Sequence, residues 1–175
     1  MDYYSFFGLE RKLTLDGAAL QKRFYELSRE FHPDRFAQKP AEERLKAEES
    51  SAILNDGYRV LRDPVQRAEY VLKQEGFDVG EQRSKDVPPE LLEEVFELNM
   101  ALEELRHGDE EARASLREAH GKFVGMRTAA DEELAGLGKR FDESQDRAVL
   151  QQIRGVLNRR RYIRNLVAEV EKELA

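Results

Sequence analysis

Apolar side chains along this chain recur at intervals of three and four, the spacing of one face of an α-helix. In "LDGAALQKRFYELSREFH", Leu20, Phe24, Leu27 and Phe31 step by four, three and four, which predicts an amphipathic helix. Asp16 is placed to cap it. Pro33 ends it, because proline lacks the amide proton and its ring clashes with the preceding turn. A polar loop, "DRFAQKPAEE", is expected next. "EERLKAEESSAILNDGYRVL" reads as helix again, with Leu45, Ile53, Leu54, Tyr58 and Leu61 expected inward. In "RDPVQRAEYVLKQEG", Asp63 is the expected cap, Pro64 the first helical residue and Gly76 the stop. With the short opening "YSFFGL", the N-terminal part becomes two helices flanking a His-Pro-Asp corner, with short ones at each end.

Two glycines and a Pro-Pro pair interrupt the pattern in "GFDVGEQRSKDVPP", the expected linker. Three longer periodic segments follow. The first runs from about Pro89 to Arg106. The second starts at Asp109 and carries Leu116, Ala119, Phe123, Met126, Ala130, Leu134 and Leu137. The third starts near Ser144 and carries Val149, Ile153, Val156, Ile163, Val167, Val170 and Leu174. Long helices joined by short connections favour antiparallel neighbours, hence a three-helix bundle. The expected fold is all-α: a helical hairpin over residues 1–75, a linker over 76–88 and the bundle over 89–175.

The segment from Pro89 carries more apolar surface than one face can use. Leu91, Val95, Leu98, Leu102 and Leu105 form a regular stripe sufficient for a core. Leu92, Phe96 and Met100 step by four and centre about 140° away, at about 100° per residue. A helix with two apolar faces must bury the second elsewhere. Glu93, Glu97 and Glu104 flank that second face, giving an apolar strip with an acidic rim.

Charge and composition narrow the chemistry. Charged residues make up 37% of the chain and the net charge is -7, which argues against general phosphate or nucleic-acid binding. The "RRR" run near Tyr162 is read as a solvated face. Cysteine is absent, which excludes disulfides, thiolate nucleophiles and cysteine-ligated metal or cluster sites. No apolar run approaches the roughly 20 residues of a membrane span, and "MDYYSFFGLE" does not read as an export signal, so a soluble cytoplasmic protein is expected. His32, His107 and His120 show no metal-ligand spacing, and no nucleophile motif or phosphate loop accompanies His32 and Asp34. No catalytic residue, metal site or cofactor is expected. Gly121 and Gly125 form a GxxxG read as close helix packing.

The combination "DYYSFFGL", amphipathic helix, "HPDRF", second long helix and "YRVLRDPVQRAEY" resembles a J-domain. That resemblance implies that His32, Pro33 and Asp34 dock on a DnaK-class chaperone and trigger its ATP hydrolysis. It also implies that Lys22, Arg23, Arg29 and Arg35 supply the electrostatic part of docking. Gln21, Tyr25 and Glu26 interrupt this basic face, which suggests a dedicated chaperone rather than a general one. Joined directly to a three-helix bundle, and with "HPDRFA", "RDPVQRAEYVL" and "ELNMALEEL", the chain is similar to HscB-type co-chaperones. The resemblance implies delivery of an IscU-like iron–sulfur scaffold to an HscA-like chaperone. It places the scaffold site on Leu92, Glu93, Phe96, Glu97, Met100 and Glu104, with Tyr162 as the aromatic of the last helix. Glu93 stands where the family commonly has an apolar residue, and Met100 where it has an acid. The alternatives are a J-domain adaptor for another client, or a helical scaffold whose corner is inert.

Overall fold

The computed structural model describes residues 2–78 and 87–175. Its elements are helices α1 (Tyr3–Phe7), α2 (Gly17–Glu30), α3 (Pro33–Phe36), α4 (Ala41–Arg62) and α5 (Pro64–Gln74), a 3-10 turn (Pro89–Leu91), then α6 (Leu92–Arg106), α7 (Ala112–Ser144) and α8 (Arg147–Leu174). No strand occurs among the described residues, so the all-α expectation holds. Most of the expected linker, residues 79–86, lies outside the described residues.

Local chemistry sets the helix ends. Asp16 accepts from the amides of Ala18 and Ala19, Asp63 from those of Val65 and Gln66, and Asp146 from that of Ala148. Each satisfies donors that the first helical turn leaves unpaired. Pro64 occupies the first turn of α5 as expected.

The chain divides into two compact units, Met1–Asp78 with Gly138–Gln145, and Val79–Leu137 with Asp146–Ala175. In the first, α2 and α4 pair, and the aromatic rings of α1 cover them. Tyr4 and Phe7 are buried, and Phe24 stacks on Tyr58 with centroids 4.1 Å apart. Gly57 lies under α1; a Cβ there would meet Phe7 and Tyr3 ring atoms at 3.0 Å. Arg67 is the buried charge of this unit, with Nε donating to the Leu13 carbonyl at 2.8 Å and Nη1 to the Leu61 carbonyl at 2.7 Å. The Leu13–Thr14 loop is held from its other side by Asp142, whose carboxylate accepts from the Leu13 amide at 2.8 Å and the Thr14 amide at 2.9 Å. In the second unit Leu91, Val95, Leu98 and Leu102 pack with Leu116, Phe123, Ile163, Leu166, Val167 and Val170.

Three expectations are corrected. Leu45 and Ile53 do not face inward; they are 56% and 37% exposed. The buried face of α4 is set by Ala47, Leu54, Gly57 and Leu61. At about 100° per residue Leu45 points roughly opposite Leu54, and Ile53 about a quarter turn away. Gly121 and Gly125 do not mark close packing, since a Cβ on either would meet nothing within 4 Å. The loop expected after Phe31 begins with a full helical turn, α3, because Pro33 sits at a first-turn position where its missing amide costs nothing.

Candidate functional site

The His-Pro-Asp corner is a helix end followed at once by a helix start. α2 closes when the Phe31 amide donates to the Leu27 carbonyl, and His32 then turns extended at φ -59°, ψ 133°. His32 is the N-cap of α3, and its Nδ1 accepts from the Asp34 amide at 3.2 Å. Below the corner, the Phe31 ring lies 6.0 Å from that of Phe6, and Ser51 Oγ donates to the Phe31 carbonyl at 3.3 Å. The corner is anchored from beneath and open above. The His32 side chain is 56% exposed and that of Asp34 92%.

The basic residues around it divide into two groups. Lys22, Arg29 and Arg35 are exposed, and Arg35 reaches the Arg29 carbonyl at 3.5 Å. Arg23 is turned into the fold, with Nε donating to the Phe7 carbonyl at 2.9 Å and Nη1 pairing with Glu26 at 2.6 Å. It ties α1 to α2 and neutralises Glu26 at the same time.

In the second unit, Leu92, Phe96 and Met100 are 56%, 66% and 49% exposed. Glu93, Glu97 and Glu104 are exposed beside them. The opposite face of α6 is filled by the bundle core, so the two apolar stripes of the sequence separate into one buried and one open face. Tyr162 on α8 is partly buried against that core, and burial raises its hydroxyl above the ordinary tyrosine range. The neighbouring arginines are committed within the bundle: Arg159 pairs with Glu133 and Arg160 with Asp131, each at 2.5 Å. This replaces the solvated-face reading of the "RRR" run for those two residues. Among the described residues no cluster of metal-ligating side chains occurs, and no helix is long and apolar enough to cross a membrane.

Known proteins are similar to this chain. The family model of the DnaJ domain matches residues 2–70, the interval that contains α1 to α4 and the corner. Chaperone HscB from Vibrio cholerae superposes over 99% of this chain and 97% of its own, with a TM-score of 0.67 and 31% identity. The chain belongs to the HscB family of J-domain co-chaperones. Human co-chaperone HscB aligns over 99% of this chain and 82% of its own, with a TM-score of 0.72 and 25% identity. Two co-chaperone protein HscB homologs of Vibrio vulnificus, strains YJ016 and CMCP6, are each 42% identical over 111 residues. That stretch is 63% of this chain and spans 64% of their length.

Sequence reasoning picked out the corner and the open face of α6, because both are local patterns. It missed the inward turn of Arg23, which depends on the Phe7 carbonyl sixteen residues away.

Proposed function

We propose that this protein carries an IscU-like iron–sulfur scaffold to an HscA-like chaperone of the DnaK class and stimulates that chaperone's ATPase. The observation that carries this reading is the open Leu92–Phe96–Met100 face of a bundle on the same chain as an anchored, solvent-facing His-Pro-Asp corner. The corner contributes chaperone recognition through His32, Pro33 and Asp34. Its backbone is already fixed by Pro33 and by the His32 cap, so little conformational freedom is lost on docking. Lys22, Arg29 and Arg35 steer the approach of an acidic partner surface, while Arg23 acts by holding α2 in place.

The bundle contributes the client site. Leu92, Phe96 and Met100 bury apolar client side chains, and Glu93, Glu97 and Glu104 set the polar rim. Tyr162 supports the site from α8. The chain has no cysteine, so it holds the scaffold protein and offers no thiolate to the cluster itself. Joining both surfaces on one polypeptide raises the client's effective concentration at the chaperone.

The test is steady-state ATPase of an HscA-like chaperone with this protein, with scaffold, and with both. The expected result is stimulation by both together that exceeds the sum of the two separate effects. Simple additivity, or equal stimulation with assorted unfolded chains in place of the scaffold, would assign the bundle to another client.

A further inference from the structure

A groove of about 360 Å³ runs between α6 and α7, beside the open face of α6. Leu98 and Phe123 give it an apolar floor, while Glu97, Met100 and Glu104 of α6 stand along one side and Glu118 of α7 on the other. Elsewhere on the bundle, several acidic side chains pair with cations. Glu133 and Asp131 hold Arg159 and Arg160, and Glu173 holds Arg106. Glu94, which also lines the groove, pairs with Lys122 at 3.6 Å. That pairing commits the groove's single ammonium. Glu97, Glu104 and Glu118 form no ion pair among the described residues.

Four glutamates against one lysine give the groove a net negative lining. A long cationic side chain matches both features at once. Its methylenes lie along Met100 and Ala119 while its head group reaches the carboxylates. Met100 belongs to the groove wall and to the exposed apolar face, so both surfaces fall within one footprint.

We propose that this groove is the charge-reading half of the client site: Glu118, with Glu97 and Glu104, receives a lysine or arginine of the client segment whose apolar side chains cover Phe96 and Met100. The inference rests on the client reading above and adds a residue of α7 to it. Glu118 thereby selects clients carrying a cation next to an apolar residue, and rejects those carrying an acid there.

The probe is an IscU-like scaffold titrated calorimetrically into the full-length protein and its Glu118→Gln, Glu118→Lys and Leu92→Ala/Phe96→Ala variants, at low and high salt. Glu118 is exposed, and unchanged circular dichroism establishes that its variants fold. The expected losses of affinity are about fivefold for Glu118→Gln and about thirtyfold for Glu118→Lys, both shrinking at high salt. One client Lys→Glu or Arg→Glu substitution is expected to restore binding to Glu118→Lys. Wild-type affinity in both Glu118 variants, with weakened binding by Leu92→Ala/Phe96→Ala, overturns the groove's role and leaves the α6 site standing. Wild-type affinity in all variants, or no scaffold binding by the unmodified protein, removes the client site as well.

Discussion

Nδ1 of His32 accepts a hydrogen bond from the backbone amide of Asp34 at 3.2 Å. The imidazole therefore caps the turn in which it sits. Nε2 is left as the ring nitrogen available to a partner. The corner's backbone is thus pre-set before it meets a partner.

Replacing His32 by Gln removes the ring but leaves the anchor at Phe31 untouched. ATPase stimulation is expected to fall to the unstimulated level, with unchanged circular dichroism and scaffold affinity and only a small drop in melting temperature from the lost cap. Normal stimulation by the variant would end the docking mechanism proposed for the corner.

Leu92 and Phe96 are open to solvent, so truncating both to Ala costs the fold little. Scaffold binding is expected to weaken by about 2–4 kcal/mol in total, the scale of interface anchors. Calorimetry on the double variant would place the client elsewhere if affinity were unaltered.

Arg67→Met tests the buried charge of the first unit. The substitution keeps the aliphatic stem but orphans the Leu13 and Leu61 carbonyls, each of which receives a charge-assisted hydrogen bond. Stability in urea titration is expected to drop by about 3 kcal/mol. Burial holds the Arg67 pKa below the ordinary arginine value, so part of its solvation is already forfeited and its replacement of water by carbonyls is what makes it tolerable. A neutral outcome would mean that water reaches both carbonyls.

Tyr4 makes the fold sensitive to alkali. Its buried hydroxyl donates to the Lys12 carbonyl at 2.8 Å, and burial raises its pKa well above the ordinary 10.0. Above about pH 10 the unfolded chain releases this proton while the folded chain retains it, so stability falls as pH rises. Tyr70 and Tyr162, both raised by burial, act with the same sign. Tyr4→Phe is expected to cost about 1 kcal/mol at neutral pH through the lost hydrogen bond. It is also expected to flatten the alkaline decline, as read by urea titrations between pH 7 and 11. An unchanged alkaline slope would show that the Tyr4 hydroxyl ionises as readily in the fold as in the open chain.

The sequence displayed what short-range chemistry decides. Asp16, Asp63 and Pro64 mark helix starts because caps act within one turn, and the doubled apolar pattern of α6 foretold an open face because periodicity is a property of one helix. Orientation toward a neighbour is another matter. Leu45 and Ile53 look like core residues until the position of α1 and α2 selects Ala47, Leu54 and Leu61 instead. Glycines show the same limit: the suggestive Gly121 and Gly125 touch nothing, while the inconspicuous Gly57 lies under the rings of Tyr3 and Phe7. At the sites, the exposure of His32 and Asp34 follows from Pro33, but the diversion of Arg23 and the presence of Glu118 beside α6 arise only when separate segments meet.

Asp142 lies far along the sequence from Leu13 and Thr14, yet its carboxylate receives both of their amides. A fragment ending at Asp78 would retain every residue of the corner but surrender those two bonds to water. Shortening this polypeptide to its first half would therefore yield something looser than the same stretch in the intact molecule, and measurements on such a fragment would understate how firmly the unit around the corner is built.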